Sequence, residues 1–159
     1  MGAIVCNASP LIILAKAGYL DMIRRAYSPV YVPSAVHEEI TAGHPDDPIC
    51  KELSEIDWFE FTTLETELSP LAHWRLGRGE TEVIEFARLT PGTIALLDDK
   101  AARRTAMVLN IPILGTLGLI AMTLRNEPMV AFARAAERLR EVGLYIDDEL
   151  MAKVTAMWH

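Results

Sequence analysis

The chain has 159 residues, 51% of them hydrophobic, with 15 Lys and Arg against 22 Asp and Glu and a formal net charge of −7. This length fits one domain, residues 1–159, able to bury roughly 70% of its unfolded surface, and the composition excludes an intrinsically disordered chain. The negative balance argues against a general nucleic-acid coating protein, which would be basic, but not against an enzyme whose acids hold divalent cations.

The continuous apolar run 3–6 predicts a short buried parallel strand, with Cys6 as a buried thiol. The opening Met1-Gly2-Ala3-Ile4 lacks the charged region of a signal peptide. Ser9 as N-cap and Pro10 at the first helical position predict a helix with Leu11, Leu14 and Ala15 on its apolar stripe. Gly18 ends it, and a second short helix runs through Leu20 to Ile23. Pro29 precedes a strand at 30–32, after which Pro33 and Ser34 open a helix whose apolar face carries Val36 and Ile40. The stretch 43–48 reads as a loop, followed by a short helix and a strand at 58–61.

Residues 62–79, with Pro70, Gly77 and Gly79, are the least regular part. A helix is predicted from Glu80 to about Leu89, with Val83, Ile84 and Ala87 on one face. A strand at 94–97 leads into a helix from about Asp99 to Leu109. The uncharged stretch 107–124 is interrupted by Asn110, Pro112, Gly115 and Gly118. It therefore reads as a helix end, a short strand at 111–114 and a new helix, not as a membrane span. Pro112 suits an edge strand. Two further helices are predicted near 129–142 and 147–157, with Asp147 and Asp148 as caps for the second. Cys6 and Cys50 make no disulfide framework and no Cys-x-x-Cys pair, which fits a reducing compartment. The expectation is a soluble cytoplasmic α/β protein with no membrane partner.

Several acid or amide side chains, far apart in sequence, fall at strand-to-helix junctions or on helices near them. Asn7 follows the first strand, Glu39 lies in the helix opened by Pro33, Glu80 opens its helix, and Asp98 and Asp99 end the strand at 94–97. In a parallel α/β fold, ligands bind at the carboxyl edge of the strands. Convergence there would surround one hard cation with oxygens, the chemistry of metal-dependent phosphodiester hydrolysis. Each position alone has a structural explanation: Asp98 and Asp99 as helix caps, Glu80 as a first-turn acid, Glu38 and Glu39 as a solvated face, Asn7 as a strand exit. Their recurrence at corresponding points of successive α/β units is the stronger signal.

The sequence resembles the PIN-domain family, in the branch that includes VapC-like toxins. The resemblance is carried by Val5-Cys6-Asn7-Ala8-Ser9-Pro10-Leu11-Ile12, by Val32-Pro33-Ser34-Ala35-Val36-His37-Glu38-Glu39-Ile40 and by Gly79-Glu80-Thr81-Glu82-Val83-Ile84. It continues through Leu96-Leu97-Asp98-Asp99-Lys100-Ala101-Ala102-Arg103 and Ile113-Leu114-Gly115-Thr116-Leu117-Gly118. The core so defined spans about residues 3–125, and the tail of about 128–158 resembles the added C-terminal helices of this branch. The resemblance implies a PIN-like (Rossmann-like) parallel sheet flanked by helices and an acidic cluster holding Mg²⁺ or Mn²⁺. It also implies endoribonuclease activity on single-stranded RNA, products with a 5′-phosphate and a 3′-hydroxyl, and often an antitoxin protein as partner. By position the family's acids fall on Asn7, Glu39, Glu80 and on Asp98 or Asp99. Asn7 departs from the usual aspartate; its amide oxygen can coordinate a hard cation but carries no charge.

On that reading Glu80 and Asp98 are core ligands, with Asn7 and Asp99 completing the set, Asp99 through a water. Glu39 orients the attacking water or holds a second cation. Ser9 and Thr116 cap helices first, and could also bring hydroxyls and amides to a phosphate. Arg75 and Arg78, with His73 and Trp74, would form a basic, stacking rim for RNA, or an ordinary solvated loop with a buried Trp. Arg103 pairs by default with Asp99, one turn away. Methionines 122, 129, 151 and 157 fit core packing, a homodimer interface or a groove for an antitoxin helix. The alternative function is a PIN-fold module, weak or inactive in catalysis, that binds RNA or a protein partner. A nucleotide-binding enzyme is disfavoured, since neither Gly-x-Gly-x-x-Gly nor a Walker motif is present.

Overall fold

The computed structural model describes residues 2–64 and 76–158. Five short strands form one parallel sheet: β1 (Ile4–Cys6), β2 (Val30–Pro33), β3 (Phe59–Thr62), β4 (Ile94–Leu96) and β5 (Ile113–Leu114). Their spatial order is β3-β2-β1-β4-β5. The helices joining them are α1 (Ala8–Ala17), α2 (Met22–Ala26), α3 (Ser34–Ala42), α4 (Pro48–Glu55), α5 (Arg78–Leu89) and α6 (Lys100–Val108), and α7 (Thr116–Leu124) comes directly after β5. Helices α8 (Met129–Glu141) and α9 (Asp148–Thr155) follow the last strand. This is the expected Rossmann-like α/β fold of a PIN-like chain with extra C-terminal helices.

Parallel strands joined by helical crossovers are covered on both faces, so they need no alternation of polar and apolar residues. Ile4, Val5 and Cys6 are accordingly all fully buried, as are Leu96 and Leu97. Burial also raises the Cys6 thiol far above its ordinary range, leaving it an inert core group. The tail is fastened to the same core. Helix α8 packs on α1 and α7, and its buried Phe132 stacks on Trp158 with ring centroids 4.6 Å apart.

Strand boundaries differ from the sequence expectation by one or two residues. Pro112 lies just before β5, where its carbonyl accepts the Ala95 N–H at 2.9 Å, and β5 is an edge strand as a proline there suggests. The larger difference is at α1. It starts at Ala8 with Asn7 as the N-cap residue, not at Ser9 and Pro10. Pro10 is then the third helical residue, which costs no hydrogen bond because the first-turn N–H groups have no intrahelical partner. The stretch 107–124 divides between the end of α6, β5 and α7. No helix among the described residues is long and apolar enough to cross a membrane.

Candidate metal centre

The strand order reverses at β1, whose two neighbours are β2 and β4. The chain leaves β1 toward one side of the sheet and β4 toward the other, so a crevice opens above their carboxyl ends. Asn7 stands there. Its backbone N–H donates to the Leu96 carbonyl of β4 at 3.2 Å. Its side chain makes no cap bond to α1 and is buried, at 4% exposure. The amide oxygen Oδ1 has no hydrogen-bond partner among the described residues. An orphaned buried carbonyl oxygen is costly unless something absent from the protein alone completes it.

The next oxygen comes from α3. A Cβ placed on Gly79 would stand 3.2 Å from Glu39 Oε1 and 3.3 Å from Asn7 Oδ1. Both oxygens thus face the same point at the start of α5, and only a glycine leaves that point open. Glu80 is the following residue and occupies the third helical position of α5. From there a carboxylate can fold back over the helix start, and a Cβ on Gly77, the N-cap, would collide with the Glu80 carboxylate. The Glu39 carboxyl is pushed above its ordinary range, first by burial and then by the negative charge of Glu80. An acid whose ionisation a neighbouring carboxylate opposes, beside an amide oxygen with no partner among the described residues, belongs to the donor set a hard divalent cation selects. Among the described residues, no three His, Cys, Asp or Glu side chains form a ready-made cage.

Asp98 follows β4 and is held differently. Its Oδ1 accepts the Thr116 N–H at 2.8 Å and its Oδ2 accepts the Thr116 hydroxyl at 2.5 Å. Thr116 is the first residue of α7, so the carboxylate sits at the positive end of that helix. Thr116 is fully buried, and its hydroxyl serves Asp98. Asp99 caps α6 by accepting the Ala102 N–H at 2.9 Å. Arg103 does not take up the expected pairing with Asp99; its Nη1 donates to the Leu97 carbonyl at 2.9 Å. Asp98, Asp99, Arg103 and Gly115 line one cleft together with the exposed Ser9.

The sequence reading gave Glu82 no role of its own. This buried carboxylate of α5, at 1% exposure, accepts the Ser34 hydroxyl at 3.1 Å and the Ala35 N–H at 3.2 Å. It caps the start of α3 from a neighbouring helix, so the helix carrying Glu39 is fastened to the one carrying Glu80. The Gly-Glu-Thr-Glu spacing was the available signal: residues two apart on a helix face different ways, so Glu80 and Glu82 had to serve different neighbours. Arg78, proposed for RNA, pairs across the same seam with Glu38 at 2.6 Å and lies 3.5 Å from Glu82 Oε2. Arg75, His73 and Trp74 lie outside the described residues.

The family model of DUF3368, described as a PIN domain, matches residues 3–159. The chain belongs to the PIN-domain family. No curated protein matches it. PIN domains are in general metal-dependent nucleases that bind RNA, and the five-stranded parallel sheet with its flanking helices is their architecture.

Two stability predictions follow from this geometry. A group whose pKa is raised on folding contributes stability while protonated and loses it as pH climbs through the raised value. At neutral pH ionised Glu39 therefore works against the metal-free fold. Glu39→Gln should raise the melting temperature of chelator-treated protein by about 1–2 °C at pH 7, as read by circular dichroism. Glu82→Ala should do the reverse, costing about 2–3 kcal/mol in urea denaturation because it leaves the α3 donors uncapped.

Proposed function

We propose that this PIN domain is a metal-dependent endoribonuclease cutting single-stranded RNA, and that it is the toxin of a VapC-like toxin–antitoxin pair in the cytoplasm, folded as one domain over residues 1–159. The observation that carries the reading is the unpartnered Asn7 Oδ1 facing Glu39 across Gly79. Asn7, Glu39 and Glu80 would hold Mg²⁺ or Mn²⁺ on one side of the crevice, with Asp98 contributing from the end of β4 and Asp99 through a water. A bound divalent ion supplies charge stabilisation on the phosphoryl oxygens and lowers the pKa of its water.

The chain's own residues divide the remaining work. Glu39, which meets Asn7 above Gly79, would orient the attacking water. Thr116 is a positioning residue: its two donors fix the rotamer of Asp98 and leave the second lone pair of each oxygen free to coordinate. Glu82 positions Glu39 through the start of α3. Ser9 and Arg103 lie beside Asp98 and Asp99 in the adjoining cleft and offer donors to a substrate phosphate. Arg75 and Arg78 are assigned to the RNA rim on their sequence positions, and Arg78 also stabilises the α3–α5 seam. A homodimer and an antitoxin partner complete this reading, motivated by exposed Met122, Met129 and Met157.

One observation favours a second reading. The position at the end of β1 is a neutral amide, and no three acids form a cage among the described residues. A PIN-fold module that binds RNA or a protein with little catalysis would have these properties.

Purified protein should cleave a labelled single-stranded RNA in Mn²⁺. Glu80→Gln and Asp98→Asn should each lower the rate by at least about 100-fold with the fold retained. Unchanged cleavage in both variants overturns the mechanism. Gly79→Ala adds a methyl group where Asn7 and Glu39 meet, and alanine is the better helix former. It should weaken Mn²⁺ binding by about tenfold in calorimetry without lowering the melting temperature. Wild-type protein that binds no Mn²⁺ at millimolar concentration supports the binding-module reading instead.

A further inference from the structure

The cleft beside Asp98 has lining residues that the metal chemistry does not use. The cavity is about 380 Å³, and Leu144, Tyr145 and Leu150 of the C-terminal segment line it together with Asp98, Asp99 and Arg103. Its lining therefore combines charged hydrogen-bonding groups with aliphatic and aromatic surface. Tyr145 is 79% exposed, although its neighbour Ile146 is buried.

The backbone around Tyr145 is fixed on both sides. The Gly143 N–H donates to the Arg140 carbonyl at 3.1 Å and the Leu144 N–H to the Leu139 carbonyl at 2.9 Å. Gly143 takes φ +113°, a conformation that side chains other than glycine rarely adopt. Beyond the tyrosine, Arg140 Nη2 donates to the Ile146 carbonyl at 3.0 Å. The ring is thus displayed on a clamped segment beside a cleft of mixed polar and apolar lining, so little loop entropy remains to be lost when something stacks on it.

We infer that this cleft is a nucleobase subsite, in which a base adjacent to the scissile phosphate stacks on Tyr145 while its polar edge meets Asp99 and Arg103. A nucleobase has apolar faces and a hydrogen-bonding edge, and the lining of the cleft supplies both kinds of surface. Single-stranded RNA presents its bases free to stack on aromatic side chains. The site borders Asp98, so a base bound here belongs to a nucleotide next to the one under attack. This inference rests on the ribonuclease reading and adds to it a role for the C-terminal segment.

The test uses full-length Glu80→Gln protein, which should bind RNA without cutting it, and a labelled single-stranded RNA read by fluorescence anisotropy. Adding Tyr145→Ala should raise Kd about five- to tenfold, the loss expected for one stacked base, and Tyr145→Trp should restore it. In a series of oligonucleotides each lacking one base, one position should abolish the difference between Tyr145 and Ala. Equal affinity of the Tyr145→Ala and parent proteins, with unchanged circular dichroism, overturns the subsite. It leaves the nuclease reading standing if Glu80→Gln has abolished cleavage. If Glu80→Gln cuts as wild type does, the nuclease mechanism fails whatever Tyr145 shows.

Discussion

The site depends on the pairing of β1 with β4. Where Ile4, Val5 and Cys6 align with Ile94, Ala95 and Leu96, the two chains run side by side to the same edge and part there. The last bond of the ladder, from the Asn7 N–H to the Leu96 carbonyl, sets the amide of Asn7 near the start of the Leu97-Asp98 turn. In a parallel sheet a slip of one residue would turn every side chain to the opposite face. Asn7 would then leave the point it shares with Glu39 above Gly79. Because β1 is fully buried and β4 is buried at Ala95 and Leu96, such a slip would also expose or misplace core residues, so packing enforces the register that the chemistry needs.

Around that edge the protein accepts local cost. An amide oxygen lies buried without a donor, and Glu39 is held where burial and Glu80 both oppose its charge. These two features explain each other if the site is built for a cation. They also bear on asparagine at position 7. The position is 4% exposed and already faces Glu39, with Glu80 close by. A third carboxylate there would be ionised only at a further desolvation and repulsion penalty. Asparagine keeps an oxygen donor of the same shape without adding that charge, which moderates the instability of the metal-free protein and reduces the field available to a cation.

Much of this was readable from sequence because it is local. Short apolar runs, Pro33, the Gly-Glu-Thr-Glu segment and the paired aspartates after Leu97 each mark a strand end or a helix start by chemistry within a few residues. What was misread or missed is tertiary. Ser9 and Pro10 look like a cap and a first helical residue, yet the chain passes from β1 into α1 without a turn, and Asn7 takes the cap position by backbone alone. Thr116 looks like a hydroxyl available to substrate, but Asp98, which follows β4, occupies it. Arg103 has the helical spacing for Asp99, yet Asp99 caps α6 and the guanidinium reaches the Leu97 carbonyl. No pattern around Tyr145 announces a role, because its place at the cleft is set by how α8 packs on α1 and α7.

Electrostatics then constrains how such a protein can hold RNA. With a net charge of −7, long-range attraction to a polyanion is absent, and binding must come from groups close to the strand. Among the described residues, Arg78 is already shared between Glu38 and Glu82, so little of its charge is left for phosphate. Among the described residues Arg103 makes one side-chain hydrogen bond, to a neutral carbonyl, and it lines the cleft with Asp98. On the proposed reading, a divalent cation held by Asn7 and Glu39 would add positive charge in the crevice. Stacking, which is insensitive to net charge, is the contact best suited to hold a base while that ion holds the backbone.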